Sequence, residues 1–311
     1  MKILTRDETI SALPFDGLIP ALDAGFRDTI EAPLRHHHSL ANDDAPDDTL
    51  LLMPAWAASG WGGVKLVNVH PGNGALGRPA VTATYILFDR ETGEHVLMLD
   101  GGELTARRTV AASALAAKRL ARPDSRRLLL VGAGRIGSAS PHAFRSVLPI
   151  ETVEVWNRSA EGAERLVDQL REEGFDARPA PDLAEAVGRA DIVSCATLAS
   201  EPILKGEWLR PGQHVDLIGS FRPDMREADD EVMRRARVFI DTDHARKECG
   251  DIRTPIETGV LAEEDIAGTL VDLCRADAYP RACEDEITLF KGVGSAIEDL
   301  SAAILAAREV L

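Results

Sequence analysis

A glycine-rich segment, Gly132-Ala133-Gly134-Arg135-Ile136-Gly137, has the residue types and spacing that bind the phosphates of a dinucleotide. It follows the apolar run Arg127–Val131 directly and opens a stretch of helical pattern. Glycine suits this turn because the chain bends tightly, the backbone must approach a pyrophosphate, and the following helix presents N–H groups to the anion. We therefore predict that Gly132, Gly134, Arg135, Ile136 and Gly137 bind a dinucleotide. The alternative is a plain glycine loop of another α/β protein.

The residues after the next strand bear on which dinucleotide binds. NAD-selective sites usually carry Asp or Glu about 20 residues past the glycines, where the carboxylate bonds the ribose hydroxyls. This chain has Asn157-Arg158-Ser159 there. Arg158 and Ser159 can hold a 2′-phosphate by charge and hydrogen bonds, unless Arg158 is only a solvated loop residue. We predict that all three residues contact the cofactor and that NADP(H) is preferred, with NAD(H) as the second choice.

Strands and helices alternate through the middle of the chain, which predicts βαβ units. Apolar strand patterns cover 127–131, 152–156, 190–196, 214–218 and 238–240, and a helical pattern covers 160–173. This order predicts an α/β fold with a doubly wound parallel sheet of the Rossmann type. Such sheets bind ligands at the carboxyl ends of their strands, so Thr197 and Asp216 are predicted to line the cofactor crevice.

The first hundred residues have a different pattern, which predicts a smaller α+β domain. After an opening helix, strand patterns at 49–54, 63–69, 80–89 and 94–99 are separated by turns, as in an antiparallel meander. A long helix is predicted over 106–121. The last segment, 287–311, is predicted as one helical stretch with Gly292 and Gly294 near its start.

Composition limits the classes of partner. The chain has 311 residues, 45% of them hydrophobic, and a net charge of −16, so we expect two domains and no attraction to nucleic acid or anionic lipid. The four cysteines form no CxxC pair or zinc pattern. No secretory h-region is evident, and no apolar stretch reaches the about 18 residues of a membrane span, so we expect a cytoplasmic protein.

Three further segments carry a family resemblance. They are Leu99 to Thr109 (LDGGELTARRT), Val64 to Asn73 (VKLVNVHPGN) and Phe290 to Leu300 (FKGVGSAIEDL). With the glycine turn, they resemble the ornithine cyclodeaminase/μ-crystallin family from about residue 30 to the end of the chain. The resemblance implies a substrate-binding and dimerisation domain over 1–112, with the helix 290–311 packing back on it. It also implies a Rossmann domain over 113–289 and a homodimer.

The resemblance also implies a substrate site. Lys65 and Arg108 match the family's strand lysine and motif arginine and are expected to be catalytic. Arg35 and Val293 match positions that bind substrate alongside them. Physically, a guanidinium suits a carboxylate and an ammonium can donate a proton. Without the resemblance, Arg108 and its neighbour Arg107 would be read as solvated helix residues.

One segment departs from the cyclodeaminases themselves, which carry a catalytic aspartate just after a V-G-G motif. Phe221 stands at that position, and a phenyl ring cannot act as acid or base. Residues 219–230 and Arg35-His36-His37-His38 instead resemble the imine-reductase branch. Consecutive histidines on an extended chain point to opposite faces, so we predict no metal site at His36 to His38.

The expected activity is NAD(P)H-dependent reduction of cyclic 2-imino acids: Δ1-pyrroline-2-carboxylate to L-proline, and Δ1-piperideine-2-carboxylate to L-pipecolate. The sequence leaves the ring size open, because one methylene is worth only about 1–3 kcal/mol. Alternatives within the family are an alanine-type amino acid dehydrogenase and an ornithine cyclodeaminase. An alternative of another class is a non-catalytic, μ-crystallin-like protein that binds NADP or a small ligand; the presence of Lys65 and Arg108 favours catalysis.

Overall fold

The computed structural model describes residues 1–42, 47–277 and 280–311, without the side chains of residues 74 and 75. The chain forms two compact units: Met1–Arg108 with Ser295–Leu311, and Thr109–Gly294. The sequence placed the boundaries at 112/113 and 289/290 instead. The difference arises because one helix runs through the first junction, while a strand over 287–291 belongs to the second unit. The division of roles between the units stays a prediction.

The first unit contains a seven-stranded sheet and its helices. Its strands are β1 (Lys2–Ile3), β2 (Ile30–Glu31), β3 (His36–Leu40), β4 (Asp48–Ala57), β5 (Trp61–Val69), β6 (Val81–Asp89) and β7 (His95–Asp100). Its helices are α1 (Arg6–Ser11), α2 (Phe15–Arg27), the start of α3 (Gly101–Leu120) and, from the end of the chain, α11 (Ala296–Val310).

Strands β4 to β7 form the predicted antiparallel meander, in the order β7-β6-β5-β4. β1 pairs with β7 in parallel, and β2 and β3 both pair with β4. Buried side chains alternate with more exposed ones at the end of β4 and along most of β5, β6 and β7, so that one face of the meander is buried. Helix α11 packs against this face over β4, β5 and β6, and also against α2.

The second unit contains an eight-stranded sheet in the order β10-β9-β8-β11-β12-β15-β13-β14, and every neighbouring pair is parallel. Its strands are β8 (Arg127–Val131), β9 (Thr152–Trp156), β10 (Asp176–Pro179), β11 (Ile192–Cys195), β12 (His214–Leu217), β13 (Ala236–Ile240), β14 (Gly268–Thr269) and β15 (Ile287–Lys291). Its helices are α4 (Arg135–Arg145), α5 (Ala160–Glu172), α6 (Leu183–Arg189), α7 (Asp230–Arg235), α8 (Ala245–Glu248), α9 (Gly250–Glu257) and α10 (Leu270–Arg275), after the end of α3.

The parallel sheet confirms the predicted Rossmann-type α/β fold. Strands β11 and β12 are buried along their whole length, as expected for strands covered by helices on both faces. The strands β8 and β9 have the bounds that their apolar runs predicted. The described residues contain no helix long and apolar enough to cross a membrane.

The prediction of one helix over 287–311 is wrong. Residues 287–291 form β15, which lies between β12 and β13 and is buried at every position. The chain then turns through Gly292 and Gly294, the latter at φ 80°, where a side chain would be strained. Helix α11 begins only after Ser295, whose backbone N–H donates to the Glu298 side chain at 3.1 Å. A five-residue segment beside a helix is too short for its period to distinguish strand from helix.

Candidate active site

The glycine turn joins β8 to α4 and has the geometry of an anion cradle. Gly132 adopts φ 113°, and a Cβ there would lie 2.6 Å from the Ala196 carbonyl oxygen. Gly137 packs so closely on the Gly132 carbonyl that a side chain would collide with it. Gly134 differs: a Cβ there would meet none of the described residues within 4 Å, and none of their side chains caps the helix that it begins. Its open side and the uncapped α4 N-terminus fit a phosphate group.

Two of the residues predicted to select the cofactor are engaged within the protein. Asn157 Oδ1 accepts from the Ala133 N–H at 3.2 Å, and its Nδ2 donates to the Ser159 carbonyl at 3.0 Å. Ser159 Oγ accepts from the Gly162 N–H at 3.3 Å and so caps α5. Arg158, between them, is exposed. Asn157 therefore fixes the glycine turn to the end of β9, and Arg158 is the side chain of the three most open to a ligand.

Thr197 and Asp216 have different surroundings from each other. Thr197, half-buried just past β11, donates from both N–H and Oγ1 to Glu227 Oε1, at 2.7 and 2.9 Å. Asp216 is completely buried within β12 and accepts from Ser194 Oγ at 2.6 Å. Burial raises the pKa of Asp216 to about 6, although the hydroxyls of Ser194 and Ser113 oppose this. We therefore correct the assignment of Asp216: it supports the strand and does not line a crevice.

A second charged group lies in the first unit; we call Lys65, Arg108, Glu298 and Asp299 the first-unit cluster. Lys65, on β5, donates from Nζ to Asp299 at 2.8–2.9 Å. Arg108, on α3, donates from Nε to Asp299 at 2.9 Å and from Nη1 to Glu298 at 2.7 Å. Lys65 is 2% exposed and Arg108 4% exposed. Two cations and two carboxylates are thus balanced in a buried setting.

The electrostatics of this cluster tune the lysine. Burial lowers the pKa of Lys65 to about 8; the Asp299 carboxylate opposes this, and the charges of Arg108 and Arg35 reinforce it. Burial alone would raise the pKa of Asp299, but Lys65 and Arg108 hold it below its usual value. Lys65 can therefore exchange a proton near neutral pH, while Asp299 stays ionised.

Tyr85 faces the same cluster from β6, where it is the register partner of Lys65. It is completely buried, and among the described residues its hydroxyl has no hydrogen-bond partner. Burial, with the Asp299 charge, raises the pKa of Tyr85 well above its ordinary value. Tyr85 therefore stays protonated.

Of the other residues considered from the sequence, Arg35 acts on the first-unit cluster, whereas Arg107 and the three histidines have other surroundings. Arg35 is half-buried and acts electrostatically on Lys65. Arg107 points away from Arg108: it donates to the Leu13 carbonyl at 2.7 Å and stacks on Phe15. His36, His37 and His38 are exposed on β3, and the described residues contain no group of three His, Cys, Asp or Glu side chains arranged to hold a metal.

Sequence reasoning missed Glu298 and Asp299. A local signal existed, because Ser295 and Glu298 have the capping-box spacing that starts a helix. Glu298 helps to begin the helix and also binds the arginine: its Oε1 accepts from the Ser295 N–H at 3.1 Å, and its Oε2 accepts from Arg108. That Asp299 would meet Lys65, 234 positions earlier in the chain, could not be read from spacing.

A glycine turn leading from a parallel strand into a helix defines a dinucleotide-binding protein of the Rossmann type. The chain belongs to the ornithine cyclodeaminase/mu-crystallin family, whose sequence profile matches residues 2–310. The resemblance noted in the sequence is thereby confirmed.

Individual relatives cover nearly the whole chain. The Δ(1)-pyrroline-2-carboxylate reductase of Paracoccus denitrificans is 42% identical over 292 residues, 91% of this chain and 92% of that protein. The structure of Thermococcus litoralis Δ(1)-pyrroline-2-carboxylate reductase in complex with NADH and L-proline has a TM-score of 0.92 at 31% identity, covering 99% of this chain and 97% of that one. An archaeal alanine dehydrogenase dimer with bound NAD has a TM-score of 0.90 at 30% identity, covering 99% and 95%.

Proposed function

We propose that this protein is an NAD(P)H-dependent reductase of cyclic 2-imino acids, which converts Δ1-pyrroline-2-carboxylate to L-proline. The observation that carries the proposal is the buried Lys65, whose pKa is lowered to about 8, held between Asp299 and the charge of Arg108. The similarity to the Δ(1)-pyrroline-2-carboxylate reductases of Paracoccus denitrificans and Thermococcus litoralis supports the same reaction.

The first-unit cluster has the chemistry that this reaction needs. Reduction adds a hydride to the imine carbon and a proton to the imine nitrogen, and a bound nicotinamide cofactor supplies the hydride. Lys65, or a water that it orders, supplies the proton. Asp299 and Glu298 fix the orientation of the Arg108 guanidinium, which with Arg35 attracts the substrate carboxylate. Val293 is proposed to contact substrate or nicotinamide.

A substrate panel tests the proposal. With Δ1-pyrroline-2-carboxylate as the substrate, we expect NADPH or NADH to be oxidised, which is measured as a fall in absorbance. We expect no turnover of pyruvate with ammonia, the pair that an alanine dehydrogenase uses, and no NAD(P)+-dependent conversion of ornithine. Because Phe221 has no acid–base group, cyclodeamination is disfavoured. Turnover of either of these alternatives without reduction of the cyclic imine would overturn the proposal, and binding without any turnover would favour a μ-crystallin-like binding role.

We further propose that NADP(H) is preferred. Asn157 is neutral, so the end of β9 has no carboxylate at that position to repel a 2′-phosphate, and the exposed Arg158 can pair with one. Asn157→Asp keeps an acceptor for the Ala133 N–H while adding a negative charge. We expect it to lower the NADPH-to-NADH ratio of kcat/KM roughly tenfold. Arg158→Ala should lower the same ratio because it weakens the binding of NADPH but not of NADH. An unchanged ratio in both variants would contradict the preference for NADP(H).

We also propose a homodimer formed through the first unit. On the face of the sheet opposite α11, register partners align Ile3, Met98, Ile86, Val64 and Pro54 into one apolar row. Apart from the exposed Ile3, these side chains are half-buried. A row of this kind suits a second copy of the same sheet, and the similar archaeal alanine dehydrogenase is a dimer.

Size-exclusion chromatography with light scattering measures the mass of the protein in solution and so tests the dimer. Ile86→Lys should shift the measured mass to that of one chain, because it would bury an unpaired charge at the centre of the row. Glu91→Lys, in the turn between β6 and β7, is the matched control and should leave the mass unchanged. A dimer in both variants would contradict this interface. A cytoplasmic location stays a prediction.

A further inference from the structure

A buried lysine in the second unit has no part in the chemistry described so far. Lys291 is the last residue of β15 and is completely buried. Its Nζ lies 3.6 Å from Asp251 Oδ2, and among the described residues neither atom has a hydrogen-bond partner. A desolvated ammonium is costly, so a chain that retains one needs a compensating set of charges.

Three buried carboxylates provide those charges; with Lys291, we call Glu227, Asp241 and Asp251 the second-unit cluster. Burial alone would lower the pKa of Lys291, but Asp251, Glu227 and Asp241 raise it above its ordinary value. In return, the charge of Lys291 opposes the rise in pKa that burial imposes on Glu227 and Asp241. Lys291 is therefore a permanent cation that keeps neighbouring carboxylates able to accept hydrogen bonds.

Those carboxylates hold the backbone just past successive strands. Glu227 accepts from the N–H groups of Thr197, after β11, and Gly219, after β12, at 2.7 and 2.6 Å. Asp241, directly after β13, accepts from the N–H groups of Val293 and Gly294, after β15, at 2.7 and 2.6 Å.

Asp251 completes the arrangement from α9. Its Oδ1 accepts from the Glu227 and Ala228 N–H groups at 2.8 and 3.1 Å, while Oδ2 faces Lys291. Asp251 thus fixes the backbone of Glu227, and the pair with Lys291 fixes Asp251. One lysine, in contact with Asp251 and acting by its charge on Glu227 and Asp241, thus influences the carboxyl ends of β11, β12, β15 and β13, which are neighbours in the sheet.

We propose that Lys291 is a positioning residue for the nicotinamide cofactor: through Glu227, Asp241 and Asp251 it sets the backbone at Thr197, Gly219 and Val293. Cofactors bind at this edge of doubly wound sheets, where a backbone error of about 1 Å can cost about 100-fold in rate. The inference rests on the nicotinamide cofactor of the proposed function but not on the identity of the imino acid.

The test measures NADH and NADPH binding by fluorescence, without substrate, in the full-length protein. Lys291→Met keeps an unbranched side chain only one heavy atom shorter and removes the charge. We expect the dissociation constant for the tighter cofactor to rise roughly tenfold, the factor that loss of one or two backbone hydrogen bonds gives. Lys247→Met, which removes an exposed lysine on α8, is the matched control and should bind as the unaltered protein does.

A second variant decides the case if Lys291→Met fails to fold. Asp251→Asn retains an oxygen for the Glu227 and Ala228 N–H groups and removes only the charge that faces Lys291. A merely structural role would lower the melting temperature and leave cofactor affinity and kcat unchanged. A positioning role predicts weaker cofactor binding and, at saturating cofactor and imino acid, a lower kcat. Unaltered affinity and kcat in folded Asp251→Asn would overturn the proposal.

The readouts also separate this inference from the proposed function. If the unaltered protein bound neither NADH nor NADPH, the proposed function itself would fail. If it bound cofactor but reduced no cyclic imine, the substrate assignment would fail and the role of Lys291 would still be measured by binding. Normal binding by folded Lys291→Met would contradict only the role of Lys291.

Discussion

The two buried clusters place a lysine in opposite electrostatic settings. Lys65 has Arg108 and Arg35 nearby as well as Asp299, and its pKa falls to about 8. Lys291 is surrounded by Asp251, Glu227 and Asp241, and its pKa rises. Burial lowers both values, so the neighbouring charges decide the outcome. We therefore propose that the same side chain carries a proton in the first unit and stays a fixed cation in the second.

The largest expected effect is a loss of activity when Lys65 is replaced, which distinguishes its proposed role from that of Lys291. Lys65→Met should lower kcat for cyclic imine reduction about 1000-fold, the scale of a lost general acid, while leaving cofactor affinity within about twofold. Steady-state kinetics and fluorescence titration measure the two quantities. If the variant lost cofactor affinity instead of kcat, the assignment of Lys65 as the proton source would be wrong.

For stability we expect the reverse order: replacing Lys291 should cost more free energy of unfolding than replacing Lys65. Lys291→Met leaves three buried carboxylates without a cation, so we expect it to lower the free energy of unfolding by about 3 kcal/mol. In Lys65→Met, Asp299 and Glu298 keep Arg108 as a partner, and the expected loss is only about 1 kcal/mol. Urea denaturation of both variants checks the order. Equal losses would show that the charge balance of the two clusters is not what stabilises them.

A third test shifts the pH dependence of Lys65 itself. Activity that needs the Lys65 ammonium should be present below pH 8 and be lost as the pH rises through about 8. The Asp299 carboxylate favours the charged lysine, so Asp299→Asn should lower the Lys65 pKa further and move the alkaline limb of kcat/KM down by about one pH unit. An alkaline limb that stayed in place or moved upward would rule out Lys65 as the titrating group.

The sequence predicted the elements better than the clusters. The glycine turn and the strands β8 and β9 follow from local patterns, since a continuous apolar run needs cover on both faces. Lys65 is a single charged residue within the strand pattern 63–69, and it also matches the family's strand lysine. In contrast, Asp299 and Glu298 lie on a helix at the other end of the chain. The packing of α11 on β5 brings this helix to Lys65. Pairing of this kind depends on tertiary contacts that no local spacing encodes.

The same limit explains the two corrections. Residues 287–291 looked helical because they precede a genuine helix, although each of them is enclosed between β12 and β13. Asp216 was placed in the crevice because it lies near the end of its strand. Alternation along β12 instead turns its carboxylate toward Ser194. Lys291 lies in one of the segments that carry the family resemblance, but local spacing does not predict that Asp251, Glu227 and Asp241 act on it, because they come from other parts of the chain.

The smallest expected effect tests whether Tyr85 shares the task of Lys65. The two side chains are register partners, and Tyr85 carries a proton at every pH at which the enzyme would work. A pKa raised so far makes it a poor acid, because it does not release that proton readily. Its hydroxyl has no hydrogen-bond partner among the described residues, so Tyr85→Phe removes an unpaired buried group and should change kcat less than about twofold, without loss of stability. A fall in kcat comparable to that of Lys65→Met would instead make the lysine and the tyrosine one proton-transfer unit.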